Sequence, residues 1–247
     1  MDKLSIFRHF PDRLDSYKVS FIPSVVDKAL ELYYFFESNL LLEKSHYRLN
    51  VNLTYDPVKL EIKNSNTYIP KYLHTRMTDV VNTILFVGYH KFGDVYIRIE
   101  KLYPNKLVQE LDKRRTRFKE LIPTLENRTI DSQYSHPSLL WHFDSKNPRG
   151  CIPFILYLSD VSETGGGTCI SDPPIRAIEK LDNSDKVGIS QENISVDDIK
   201  YKNITGPAGT LVSFNSYTLH RGGIPFDKPR IAMILNFYPK ENLTIYR

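Results

Sequence analysis

After Ser138 the chain becomes a succession of short apolar runs broken by glycine and proline. Runs of this length bury themselves as strands of layered sheets, because they are too short for helices that could cover a core alone. Residues 151–158 read as a strand buried on both sides, with Pro153 marking an edge or a bulge. Gly165, Gly166 and Gly167 turn the chain back into Thr168-Cys169-Ile170, and Gly206-Pro207-Ala208-Gly209 leads into Thr210-Leu211-Val212-Ser213-Phe214. A last apolar strand opens at Arg230 and runs to Tyr238. Strands returning on strands in this way predict a double-stranded β-helix, a jelly-roll core in a mainly β fold with flanking helices (α+β).

The first half, residues 1–137, is expected to supply helices and outer strands. Pro23 and Ser24 open a helix with Ser24 as cap and Asp27 in the first turn. Val26, Leu30, Tyr33 and Leu40 form its apolar face, and it is expected to end near Glu43. Tyr47, Leu49, Val51 and Leu53 alternate with polar residues as a half-buried strand, and Val58, Leu60 and Ile62 continue the period as the return of a hairpin. Residues 64–90 fit either a loop with a short helix or a further strand. Val95, Ile97 and Ile99 alternate as a strand, and residues 104–121 pattern as a second helix with proline in its first turn. No repeat or linker divides the chain, so residues 1–247 read as a single domain whose metal-site half is residues 138–247. Within it, residues 171–203 form a polar insertion carrying Pro173-Pro174, either a lid or a solvated excursion.

The chemistry is carried by Trp141-His142-Phe143-Asp144 and by Leu219-His220-Arg221-Gly222-Gly223. In an extended strand, positions two apart share a face, so His142 and Asp144 can address one point while Phe143 turns away. A second imidazole from His220 completes two nitrogens and one hard oxygen on one triangular face of an octahedral ion. That set suits non-heme Fe(II), because three positions stay open. Arg230 follows His220 by ten positions and opens a buried strand. A guanidinium there calls for an anion, and its planar fork matches a carboxylate.

His-x-Asp, a distal histidine and an arginine ten positions on resemble the Fe(II)/2-oxoglutarate-dependent dioxygenases. The ending His220-Arg221-Gly222-Gly223 followed by Arg230 is most similar to the phytanoyl-CoA dioxygenase type. Tyr157-Leu158-Ser159-Asp160 with Gly165 to Thr168 resembles the prolyl 4-hydroxylase type, which usually has lysine where this chain has Arg230. The resemblance implies His142, Asp144 and His220 as ligands of Fe(II), with 2-oxoglutarate as co-substrate, dioxygen as oxidant and Arg230 on the far carboxylate. Thr168, Tyr157 and Ser213 are implied as further contacts to 2-oxoglutarate, and Trp141 as a neighbour of the iron; Arg221 faces either the pocket or solvent. Asp144 stands where related halogenases carry a small residue, which implies oxygen transfer. The expected reaction is hydroxylation of an unactivated carbon of a small or medium-sized metabolite, releasing succinate and CO2, with desaturation, cyclisation and epoxidation open to the same metal. A peptidyl prolyl hydroxylase and a non-catalytic binding module are the competing readings.

Other classes are disfavoured. The glycine trio lacks the Lys-Ser/Thr ending and following helix of a phosphate cradle. The formal charge of +4 is modest, and Lys113-Arg114-Arg115-Thr116-Arg117 reads as a solvated helix face rather than a nucleic-acid patch. No window has the length of a membrane span or the plan of a signal peptide, so a cytoplasmic protein is expected. In that compartment Cys151 and Cys169 are expected as buried thiols.

Overall fold

The computed structural model of the chain describes residues 17–44, 48–56, 61–64, 68–69, 88–89, 93–104, 141–144, 151–175, 186–188, 199–215, 218–223 and 225–238. Most of residues 64–90, the helix expected over 104–121 and most of the insertion after Ile175 lie outside these. Among the described residues, no helix is long and apolar enough to cross a membrane.

The strands are β1 (Lys18–Phe21), β2 (Glu43–Lys44), β3 (Arg48–Asp56), β4 (Glu61–Lys63), β5 (Val95–Leu102), β6 (His142–Asp144), β7 (Ile152–Tyr157), β8 (Thr168–Ser171), β9 (Lys186–Gly188), β10 (Tyr201–Ile204), β11 (Thr210–Ser213), β12 (His220–Arg221) and β13 (Arg230–Phe237). They form two antiparallel sheets. The larger runs β1-β11-β7-β13-β5-β3-β2, with β4 also pairing β3; the smaller runs β10-β8-β12-β6-β9. From β6 onward the chain crosses repeatedly between the sheets: β6, β8 to β10 and β12 are in the smaller, and β7, β11 and β13 in the larger. This alternation is the double-stranded β-helix.

Strand parity assigns the faces. Odd positions of β3, β5 and β13 (Val51, Leu53, Ile97, Ile99, Met233, Leu235) and even positions of β7 (Phe154, Leu156) share a core with the one described α-helix, α1 (Val26–Ser38). That helix contributes Ala29, Leu32, Tyr33 and Phe36, each essentially inaccessible to water. Burying a side chain of this size contributes about 1.5–3 kcal/mol, and Phe154 and Phe237 add an edge-to-face contact at 5.5 Å. The opposite face of the larger sheet meets the smaller one. There Tyr157, Val212, Phe214 and Ala232 pack with Ile170 and Ile204. The outer face of the smaller sheet carries a third cluster of Trp141, Phe143, Cys169, Ile199 and Leu219.

Four expectations change on contact with the structure. Helix α1 ends at Ser38 rather than near Glu43, because Leu40 adopts a left-handed φ of 55° and is 91% exposed, not part of the apolar face. Its start is a single 3-10 turn (Pro23–Val25) without a side-chain cap from Ser24. Pro153 lies in β7, between β11 and β13, and so is not on an edge. Its carbonyl accepts the Phe214 N–H at 3.3 Å beyond the last residue of β11, so its missing N–H falls where that ladder ends. The insertion is more than a solvated loop, since β9 lies within it and β10 begins in it and ends one residue beyond, and the two extend the smaller sheet on its opposite edges. Cys151 and Cys169 are free and buried.

Candidate metal centre

His142 and His220 are direct register partners across β6 and β12, and His220 is likewise opposite Ile170 of β8. Directly opposed residues project from the same face of a sheet. Because Ile170 belongs to the core between the sheets, both imidazoles enter that space. Their ring centroids are 4.4 Å apart, and both side chains are buried, at 3% and 6% exposure. Phe214 closes against the His220 ring at 4.6 Å. His220 Nδ1 lies 2.8 Å from the Thr218 carbonyl oxygen. An N–H donated there places the lone pair on Nε2, which is how metal-binding histidines are oriented by their second hydrogen bond.

Asp144 occupies the register position two beyond His142 in β6, opposite Lys186 of β9. Its side chain lies outside those described. The donor chemistry fits a divalent transition metal: two buried imidazoles side by side, one with its tautomer set by a backbone carbonyl, and a carboxylate-bearing residue two positions along the same strand.

Arg230 enters the same inter-sheet space from the facing sheet, two positions before Ala232 of that core. It is 4% exposed. One terminal nitrogen donates to the Gly166 carbonyl and the other to Glu100 Oε1 at 3.3 Å, while Nε has no hydrogen-bond partner among the described residues. Tyr157 and Thr168 adjoin this arrangement. The Tyr157 hydroxyl accepts the Thr168 backbone N–H and donates to the Ile204 carbonyl, both at 2.9 Å, tying β7 to β8 and β10. Burial pushes the phenol pKa up, opposed by the nearby Arg230 charge and the Thr168 hydrogen bond. Ser213 is not brought to this group, since it shares parity with Leu211 on the α1 side of the sheet while Val212 faces inward.

Trp141 and Arg221, the sequence neighbours of the two histidines, lie on the outer face of the smaller sheet. The Arg221 guanidinium stands 5.3 Å from the Trp141 ring and 5.8 Å from that of Tyr201. Neither therefore packs beside the imidazoles. The glycines have a packing reason: a Cβ on Gly223 would collide with the backbone of Gly166 and Gly167. The loop after β12 thus presses on the turn whose carbonyl holds Arg230.

Glu100 was not anticipated. The signal was present in the polar alternation of β3 and β5, where Arg48, Asn50, Arg98 and Glu100 occupy the even positions. Those positions face inward, and Asn50 and Glu100 are buried rather than solvated.

No known family's sequence profile matches the chain, and no curated protein matches it. Solved structures do match in fold. The epimerase SnoN, in a complex with Fe3+, alpha ketoglutarate and nogalamycin RO, superposes with a TM-score of 0.53 at 12% identity, over 96% of this chain and 85% of that one. The non-heme alpha ketoglutarate dependent carbocyclase SnoK, from nogalamycin biosynthesis, gives 0.51 at 14%, over 98% and 88%. A structure from work on prolyl 4-hydroxylases of Phytophthora capsici gives 0.51 at 13%, over 98% of this chain and 63% of that one. The chain thus has the jelly-roll fold of non-heme iron, 2-oxoglutarate-dependent enzymes. Epimerisation, carbocyclisation and prolyl hydroxylation all occur on it, so fold alone does not select the reaction.

Proposed function

We propose that the protein is an Fe(II)- and 2-oxoglutarate-dependent oxygenase, closest in plan to the phytanoyl-CoA dioxygenase type. Its reaction is hydroxylation of an unactivated carbon of a small or medium-sized organic metabolite. The observation that carries this reading is the buried pair His142 and His220, register partners on one face, with His220 Nδ1 turned to a backbone carbonyl. His142, His220 and Asp144 hold the metal. Bound Fe(II) and 2-oxoglutarate supply the oxidising power, using dioxygen and releasing succinate and CO2.

The rest is done by the chain. Arg230 receives the far carboxylate of 2-oxoglutarate on its remaining donors, while Gly166 and Glu100 fix the plane of its fork. Tyr157 and Thr168 line the same corner and brace it through backbone hydrogen bonds. Phe214, Ile170 and Ala232 wall the site with apolar surface, which excludes water from the reacting centre. A prolyl-hydroxylase reading is supported by the same fold and by the turn at Gly165 to Thr168, but Arg230 stands where that type usually has lysine.

The test is anaerobic titration with Fe(II) and then 2-oxoglutarate, followed by admission of air and measurement of succinate. One equivalent of Fe(II) and slow succinate formation without added substrate are expected, and His220→Ala abolishes both. A wild-type protein that binds no Fe(II), or binds it and never turns over 2-oxoglutarate, refutes the enzyme and leaves a binding module.

A further inference from the structure

Three arginines share one carboxylate between the sheets. Glu100 Oε1 meets Arg230 at 3.3 Å, and Glu100 Oε2 meets Arg98 Nε at 3.3 Å and Arg48 at 3.5 Å. All four occupy inward positions. In register, Arg230 and Arg48 both stand opposite Leu102, one on each side of β5, and Arg98 lies four positions along β5 from Leu102, two beyond Glu100, between Ile234 and Asn52. Glu100 and Arg230 form the dry end of this surface, each with a side chain 4% exposed. Arg98 is 25% exposed, and Tyr96 and Asn236 beyond it are half-buried, so the inner face opens toward water on that side.

Arg98 approaches its carboxylate through Nε, and that contact lacks hydrogen-bond alignment. A guanidinium used this way directs its terminal fork elsewhere. Among the described residues, Arg98 meets no acid other than Glu100. The next carboxylate on this face, Glu43 of β2, is engaged by the Asn50 amide at 2.9 Å and the Asn52 amide at 3.4 Å. The Arg98 side chain is three-quarters buried on the inner face it shares with Arg230, and its paired terminal donors suit an oxyanion, since carboxylate and phosphate both match that fork.

We infer that Arg98 is the substrate anchor, and that the substrate is a small molecule bearing a carboxylate or phosphate group. This rests on the oxygenase reading, in which Arg230 is occupied by the co-substrate. A neutral metabolite would leave the Arg98 fork desolvated and unmatched as the pocket fills. An anion offsets that cost and orients the carbon skeleton from one end.

The test uses two simple probes, benzoate and inorganic phosphate, titrated calorimetrically into the protein with and without saturating Mn(II) and 2-oxoglutarate. At least one probe is expected to bind wild type in both conditions, more weakly at higher salt. Arg98→Gln should lower that affinity about tenfold or more, and Arg98→Lys, which keeps charge but not the fork, should fall between. Benzoate alone binding assigns the carboxylate class; phosphate alone assigns phosphorylated substrates. No binding of either probe, equal binding by Arg98→Gln, or complete displacement by 2-oxoglutarate overturns the assignment. Failure of Mn(II) and 2-oxoglutarate to bind would instead overturn the oxygenase reading, with Arg98-dependent anion binding still measurable on its own.

Discussion

Glu100→Gln isolates the electrostatic balance on which the inner face depends. The substitution keeps shape and one acceptor but removes the charge that Arg48, Arg98 and Arg230 share at 3.3 to 3.5 Å. At that separation a single charge pair carries about 5 kcal/mol of gross attraction for an effective dielectric constant near 20. The net effect is smaller, because the carboxylate no longer has to be desolvated. Removing one partner of a buried pair typically costs about 3–5 kcal/mol, and the retained amide oxygen places Gln at the low end. About 3 kcal/mol corresponds to a fall in Tm of roughly 6–12 °C for a chain of this size. The assay is calorimetric unfolding of wild type, Glu100→Gln, Arg98→Gln and the double variant at low and high salt. Part of the loss should be recovered in the double variant, with a coupling of about 0.5–3 kcal/mol, because removing a guanidinium relieves the repulsion that Gln unmasks. Salt should change the result little, since Glu100 and Arg230 are nearly inaccessible to water. A single variant within about 0.5 kcal/mol of wild type, or strictly additive losses, would refute a shared buried carboxylate.

Four further outcomes follow from the geometry. Asp144→Ala should abolish succinate formation while far-UV circular dichroism and Tm stay near wild type; retained turnover would remove Asp144 from the ligand set. Arg230→Ala should weaken 2-oxoglutarate binding by about tenfold or more, as expected for a lost charge-assisted hydrogen bond, read as a change in apparent affinity. Gly223→Ala should cost about 1–3 kcal/mol by overpacking, because its Cβ meets the backbone of Gly166 and Gly167 rather than a movable side chain. Tyr55→Phe should raise stability by about 1 kcal/mol, since its buried hydroxyl has no hydrogen-bond partner among the described residues. Burial, then Asp56, pushes that phenol pKa up. Stability is therefore indifferent to this ionisation below the unfolded phenol value of about 10 and falls as pH rises above it, because the unfolded phenol ionises first, so Tyr55→Phe should also flatten the alkaline fall in stability.

Much of the fold was readable because period-two alternation is a local property. His142 and Phe143 were assigned opposite faces from their spacing alone, and they occupy opposite faces: Phe143 is in the outer cluster and His142 in the inter-sheet space. The same rule placed Val51, Leu53, Ile97 and Ile99 on one surface, where α1 covers them. Alternation does not say what lies over the other surface. The even positions of β3 and β5 looked like a solvated side because Arg48, Asn50, Arg98 and Glu100 are polar, yet Asn50 and Glu100 are buried and Arg48 and Arg98 are mostly so. Nor could spacing reveal that Arg230 already has Glu100 and Gly166 as partners, because those contacts span 130 and 64 positions. The strands inside the insertion were hidden for a related reason. Tyr201-Lys202-Asn203-Ile204 is too polar to look like core, and only the ladder to β8 makes it a strand.

The omissions at Glu100, Arg98 and Arg230 lie on the surface that makes the site. A jelly-roll built for stability alone would line both sheets with apolar side chains, as the α1 side of the larger sheet is lined. Here the inner face instead grades from an apolar corner at Phe214, Ile170 and Ala232, beside the histidines, to an ionic patch at Glu100, Arg98 and Arg48. Buried charge is costly unless matched, so such a gradient persists only where geometry supplies partners. The division has a mechanical consequence. Substitutions on the α1 face, such as Phe154→Ala, should cost about 3–5 kcal/mol of stability while leaving metal and anion binding by the folded fraction unchanged. Substitutions at Arg98 or Arg230 should change ligand binding out of proportion to their effect on folding.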